Sequence, residues 1–438
     1  MKSIKSQDLQ SLRKNYLDND VNRIVRNALV HHDADRIASV FEQEREHPNV
    51  FSVEIETMPA TNQLSSGRCW IFSALNVLRE QIAKKYHIDS FELSQNYVAF
   101  YDKLEKVNWF MNCVMEEAGK PLDDRTMQWL LDNGIGDGGQ WDMVVSLIKK
   151  YGLCPKDAMP ETYISSHTGR MNGLLNQRLR RFTLDIQGKS KEEMENLRKE
   201  TLEECYRLIA DCFGVPPVTF AFEYRDSKKK FHADYDLTPQ KFVETYLEED
   251  LDSYAVIINA PTADKPYHKL YTVKYIGNVV NGNPIRYLNL PMEDLKKAII
   301  RQLKDGKPVW FGCDCGKDGN RTSGLWDDAS YDFKHTFDMK LDMSKAEMLD
   351  SRHSAMNHAM VLTGVNLVNG KPTRWKIENS WGTDKANKGY YICSDTWFDR
   401  YVFEAAVQTT YLSAKERKEL KGKVTVLNPW DPFGTLAD

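Results

Sequence analysis

The stretch CWIFSALNVL, Cys69 to Leu78, carries apolar side chains around most of a helical circumference: Trp70, Ile71, Ala74, Leu75, Val77 and Leu78 leave little room for a solvated face. A helix of that kind has to be enclosed by other elements, so the chain must build layers on more than one side of it. The turn-rich run Thr61, Asn62, Gln63, Leu64, Ser65, Ser66, Gly67 precedes it and sets Cys69 at the helix start. There the first free peptide N–H groups point toward whatever charge the side chain carries.

The remaining pattern supplies those layers. Residues 5 to 47 are polar with apolar residues at helical spacing and predict an N-terminal helical arm ended by Pro48. A second helix is expected from Leu93 to Leu104, a glycine-rich loop at Gly134, Gly136, Gly138 and Gly139, and a further helix from Trp141 to Tyr151. Between Gly169 and Tyr254 the chain is highly charged and reads as helical, with Met194, Leu197, Leu202, Tyr206 and Ile209 along one side of KSKEEMENLRKETLEECYRLIADCF. From Tyr254 strand-like segments take over: YAVIINA, LYTVKYIGNVV and IRYLNL, then, after a helix from Met292 to Leu303, PVWFGCD, HAMVLTGVNLV, TRWKIENS and GYYIC. The fold class is therefore α+β, divided as an arm and lead-in (1–60), a helical lobe (61–168), a helical and hairpin insertion (169–290), a β-rich lobe (291–415) and a C-terminal tail (416–438).

Length and charge narrow the function classes. A chain of 438 residues exceeds what one core usually organises. The net charge of −4 gives no general attraction to phosphate backbones or anionic lipid. The basic clusters Arg178, Arg180, Arg181 and Lys228, Lys229, Lys230 are read as solvated surface, since acidic residues flank them. The first twenty residues lack the apolar run of a secretory signal, and no later run is long enough to cross a bilayer, which predicts a cytoplasmic protein. Eight scattered cysteines fit reduced, buried thiols rather than a disulfide framework. No cofactor is expected, and no metal: Cys313 and Cys315 lack the partners of a zinc site and are read as packing residues.

A thiol becomes a nucleophile at neutral pH when its proton is drawn off by a nearby base and its charge is favoured by a helix N-terminus. Cys69 has the second condition. Gln63, six residues earlier in the turn, can aim its amide N–H at an oxyanion also bonded by the Cys69 peptide N–H. His358 heads the apolar strand HAMVLTGV, and Asn379 follows 21 residues later in WKIENSWG, where a second strand running beside the first would bring its amide to the imidazole. His353 has no such follower and is assigned to a surface loop. The loop Asp137 to Gln140, with Gly138 and Gly139, is a candidate wall of the substrate cleft.

QLSSGRCWIFSALNVLR, NHAMVLTGV and WKIENSWG resemble the cysteine, histidine and asparagine signatures of papain-like peptidases. More closely, TNQLSSGRCWIFSALNVLR, LSQNYVAFYDKLEKVNWF, DGGQWDMVVSLIKKYGLCPK, VWFGCDCGK and PWDPFGTLA resemble the bleomycin hydrolase and aminopeptidase C branch, over nearly the whole chain. The separation of Cys69 from His358, 289 residues, far exceeds the about 130–150 of a compact papain, and the helical insertion takes up much of the excess. The resemblance implies a two-lobe papain-like fold, with Cys69, His358 and Asn379 as the triad and Gln63 in the oxyanion hole. Leu64 stands where a basic residue is expected.

The resemblance also implies that the tail lies in the active-site cleft, its terminal carboxylate anchoring the substrate amino terminus, and that the protein is a homohexamer. Pro429, Trp430 and Pro432 stiffen that tail before uncharged Phe433 to Ala437. Asp438 runs one residue past the Leu-Ala ending of the branch. The substrate-binding candidates are thus Asp438, Ala437, Gly138, Gly139 and Asn357. A cysteine aminopeptidase of broad specificity acting on peptides is the leading expectation. The alternatives are an endopeptidase of the same branch, separable by N-acetylated substrates, and a nucleic-acid-binding protein on a peptidase scaffold, separable by salt-dependent DNA affinity without hydrolysis.

Overall fold

A computed structural model describes residues 1–43 and 47–437. Among the described residues twelve strands form one mixed sheet. From one edge it runs Val424–Leu427, Leu270–Val273, Tyr287–Asn289, Tyr254–Ile258, Val402–Gln408, Val309–Cys313, His358–Val368, Lys371–Glu378, Tyr390–Ser394, Leu325–Trp326 and Gly319–Asn320. Val53–Glu54 pairs with His358–Val368 outside that path.

Alternation along the central strands decides what each face meets. Val309, Phe311, Met360 and Leu362 point into a core shared with Leu295, Ile299 and Leu303 of the helix Met292–Lys304. Trp310, Ala359 and Val361 point the other way, into the core that holds the helix Cys69–Tyr86. Thirteen of that helix's eighteen residues are buried, as its all-round apolar pattern requires. Ser73 Oγ donates to Ala359 O at 2.8 Å and Trp310 Nε1 to Trp70 O at 3.2 Å, which fixes the helix against the sheet. The helices Gln95–Glu116 and Trp141–Tyr151 cover its other sides. At about 1.5–3 kcal/mol for each large apolar side chain buried, this enclosure holds the start of the helix rigidly.

The sequence-based expectations differ from the structure in four places. Among the described residues the arm holds the helices Ser6–Leu17, Asp20–Leu29 and Ala34–Ala38, in which Ala38 is buried. The second lobe helix runs to Glu116 rather than Leu104, because buried Lys106 pairs with Asp102 at 2.9 Å and so does not interrupt the helix. Within the charged 169–254 region, Phe220–Arg225 and Phe231–Leu237 form a hairpin. There Phe220, Phe222 and Tyr224 alternate, and the Phe222 ring contacts Phe91, Phe242 and Tyr246. The strand Val402–Gln408, every residue of it buried, is masked in the sequence by Glu404, which interrupts its apolar run.

The tail is folded to Ala437. Val424–Leu427 runs parallel to Leu270–Val273, and a 3-10 segment follows at Pro432–Ala437. Three anchors hold it: Asp431 with buried Lys265 at 2.9 Å, the Arg125 guanidinium 3.8 Å from the Trp430 ring centroid, and Phe433, which is buried.

Candidate active site

Cys69 opens its helix with no carboxylate in the first turn and no side-chain cap on Arg68, the residue before it, so side chains leave the helix's N–H groups unclaimed. Arg68 is buried and forks onto Glu161 at 3.2 and 2.8 Å, while its Nε donates to Ser66 Oγ. Gly67 has its N–H on Asp137 Oδ2 at 2.9 Å, and a Cβ there would stand 2.8 Å from the Asp137 Cβ. Asp137 is in turn held by Lys103, Thr168 and Asn172, and those partners keep its carboxyl far below the usual range despite burial.

The peptide N–H of Ala359 lies 3.4 Å from Cys69 Sγ, so the residue directly after His358 touches the thiol. His358 Nε2 bonds Asn379 Oδ1 at 2.8 Å. With Nε2–H donating there, Nδ1 carries the lone pair and is the nitrogen that can take a proton. Asn379 Oδ1 also accepts the Ser380 N–H at 2.8 Å, which fixes the amide. Trp381 stacks on the imidazole, with ring centroids 4.9 Å apart and planes 28° apart. Two residues past Asn379 in WKIENSWG, an aromatic beside the amide that orients a histidine is the signal the sequence carries for this position.

Burial pushes the Cys69 thiol up to about 11, against the peptide N–H groups of Ala359, Trp70 and Cys69, which pull it down. Burial likewise takes His358 down to about 4, with the Asn379 bond opposing. Burial thus disfavours charge on either group alone, so charge is favoured here only when thiolate and imidazolium form together as a pair.

Gln63 is buried in its turn. Its Oε1 accepts from Ser380 Oγ at 2.6 Å and its Nε2 donates to Ser66 O at 2.5 Å, which leaves one amide hydrogen free. Leu64, exposed beside it, holds a left-handed φ of 51° and donates its N–H to Asn62 Oδ1 at 3.0 Å. The loop Asp137 to Gln140 packs against Trp70, whose Nε1 donates to Asp137 O at 2.6 Å. A Cβ on Gly139 would sit 2.4 Å from the Trp70 ring, and the Gly138 carbonyl accepts from Lys106. Asn357 spends its amide on Asp314 Oδ1 at 2.6 Å and the Cys315 N–H at 3.1 Å.

The tail reaches the strand pair. Thr435 Oγ1 donates to Met356 O at 2.8 Å, two residues before His358. Leu436 Cδ2 is 3.4 Å from where a Gly312 Cβ would be, and Gly312 pairs directly with Ala359. Ala437 borders a cavity of about 60 Å³ with Gly134, Gly136 and Trp129. Asp438 lies outside the described residues. Cys313, Cys315 and the other six cysteines are free, and His353 is exposed. Among the described residues no group of His, Cys, Asp or Glu stands where it could hold a metal ion.

Known proteins resemble the chain over most of its length. The Peptidase C1-like family matches residues 3–434. Aminopeptidase C of Lactobacillus delbrueckii subsp. lactis is 48% identical, with 88% of each chain covered. The bleomycin hydrolase of Gallus gallus is 40% identical, again over 88% of each. The crystal structure of PepW from Lactobacillus rhamnosis HN001 superposes with a TM-score of 0.97 at 44% identity, over 99% of both chains.

Proposed function

The chain belongs to the Peptidase C1-like family, and on that footing we propose how its residues perform the chemistry of a cysteine-type aminopeptidase, the activity its relatives are named for. His358 Nδ1 takes the Cys69 Sγ proton as sulfur attacks the carbonyl carbon of a peptide bond. The free Gln63 amide hydrogen and the Cys69 peptide N–H hold the oxygen as it gains charge, a contribution of about 3–4 kcal/mol for one such donor. His358 then gives its proton to the leaving amine, and a thioester to Cys69 remains. Water, deprotonated by the same imidazole, releases the amino acid and restores the thiol. Asn379 holds Nε2 throughout, so Nδ1 stays toward sulfur.

The observation that carries the exopeptidase reading is the seat of Leu436 beside Gly312, one strand pair from the thiol contact. A folded tail there would limit the substrate residues that fit on that side. Ala437 and the Asp438 carboxylate would receive the substrate amino group, with the Gly138–Gly139 backbone as a wall and Asn357 bracing the strand that leads to His358. An endopeptidase would need the tail to leave this seat. The nucleic-acid reading is weaker, since Arg178, Arg181 and Lys229 are engaged by Glu204, Asp185 and Asp89.

A homohexamer is proposed on the arm, where Leu9, Leu12, Leu17, Val21, Ile24 and Val30 are exposed and need a covering surface. Sedimentation at micromolar concentration is expected to give a hexamer, and a monomer alone would remove the idea. A cytoplasmic setting is proposed on the eight free thiols. The catalytic assignment is tested by alkylation with iodoacetamide followed by peptide mapping. Loss of hydrolysis in step with modification of Cys69, and no hydrolysis by Cys69→Ala, supports it; full activity of that variant removes it.

A further inference from the structure

The cleft has two sides around Cys69 and His358. The tail, Met356 and Gly312 close one of them. Trp381, whose indole lies on the imidazole, takes part in none of the tail contacts described above. If the residue to be released sits on the tail side, as proposed above, the rest of the peptide leaves across Trp381.

Trp381 carries a second group on its ring. The Arg321 guanidinium carbon is 5.0 Å from the indole centroid. Arg321 comes from the turn between Gly319–Asn320 and Leu325–Trp326 and is exposed. That turn is well fixed: Asn320 Oδ1 accepts the N–H groups of Thr322 and Ser323 at 3.0 and 3.1 Å, Asn320 O accepts the Gly324 N–H at 2.9 Å, and Leu325 pairs with Ile392 in the sheet. Among the described residues no carboxylate pairs with the Arg321 guanidinium, which lies on the indole. Its charge reaches the catalytic group, where it opposes protonation of His358.

A guanidinium held on an indole keeps its in-plane N–H groups free and lets them fork onto a carboxylate. We infer that Arg321 is a specificity-determining residue that binds a carboxylate on the first residue of the leaving peptide. The mechanism gives Arg321 no other task. Two sources present that chemistry at that place: the side chain of Asp or Glu in the second position of a substrate, and the α-carboxylate of a dipeptide. This inference rests on the peptidase reading of the Cys69 site.

The test measures kcat/KM at the pH plateau for two matched pairs: Ala-Glu against Ala-Gln in an otherwise identical amidated peptide, and the dipeptide Ala-Ala against Ala-Ala amide. Wild type, Arg321→Gln and Arg321→Lys are compared at low and high salt. Wild type should favour the carboxylate in at least one pair by about threefold to tenfold, mostly through KM and less at high salt. Arg321→Gln should bring that ratio to about one, and Arg321→Lys should restore part of it; a merely structural Arg321 would alter both members of a pair alike. The pair that responds names the source. A wild-type ratio near one in both pairs, or an undiminished ratio in Arg321→Gln, overturns the inference while hydrolysis of the neutral peptides leaves the peptidase reading intact. Failure of wild type to hydrolyse any of the four removes that reading and this inference with it.

Discussion

Replacing Asn379 with alanine separates the orienting role from the rest of the site. Its Oδ1 accepts from His358 Nε2 and from the Ser380 N–H, both at 2.8 Å, and the variant loses both bonds. A bond from a neutral ring N–H contributes about 0.5–1.5 kcal/mol, and from a charged one about 1.5–3. A ring that is protonated in the step draws more from this bond than a neutral one, so the variant forfeits about 1–2 kcal/mol of stabilisation, with a further loss when the ring adopts the wrong tautomer. We expect kcat/KM to fall about tenfold to a hundredfold, mostly in kcat. The Trp381 stack remains to hold the ring plane, which argues against total loss. The pH profile supplies an independent sign. The Asn379 bond favours the imidazolium against burial, which takes His358 down to about 4. Without it the imidazole protonates at still lower pH, so the acid limb of kcat/KM should move further down. Stopped-flow hydrolysis of a fluorogenic amino-acid amide from pH 3 to 9, with circular dichroism confirming the fold, reads both. A rate within twofold of wild type, or an acid limb moved upward, refutes this account of Asn379.

Gln63→Ala removes the free amide hydrogen as well as the partners of Ser380 Oγ and Ser66 O. Its kcat should drop about a hundredfold to a thousandfold with KM little changed, and equal losses in both constants would contradict an oxyanion role. Gly139→Ala places a methyl 2.4 Å from the Trp70 ring, a fully buried indole with no room to move. Overpacking of that kind costs about 1–3 kcal/mol, so thermal unfolding should come at lower temperature and alkylation of Cys69 should change rate; an unaltered melting temperature would show that the loop yields freely.

The catalytic residue types were legible because each stood in a local pattern with a mechanism: Cys69 after a turn, His358 at a strand start, Asn379 at the end of its neighbour. Register then did what spacing could only suggest, since Val361 opposite Glu378 in the antiparallel pair brings the two strand ends together. The strand Val402–Gln408 was hidden by a charge. Burial pushes the Glu404 carboxyl well above its usual range, and the Gln140 amide, with its nitrogen turned inward, donates to both its oxygens at 2.9 and 3.0 Å. A buried carboxyl inside a sheet looks like a solvated one in sequence. Tail composition would as readily have suited a frayed end, and its order comes from contacts remote in sequence, Lys265 and Arg125. Arg321 was unreadable for the same reason: only the fold brings its turn to Trp381.

The central claim is that the folded tail makes a thiol peptidase an aminopeptidase, and one comparison tests it most directly: hydrolysis of matched peptides with free and acetylated amino termini by wild type and by a variant lacking Phe433 to Asp438. The account predicts that wild type cleaves only free termini. The shortened chain should gain activity on acetylated peptides while losing its preference for the free amine. Efficient cleavage of acetylated peptides by the intact protein would contradict it.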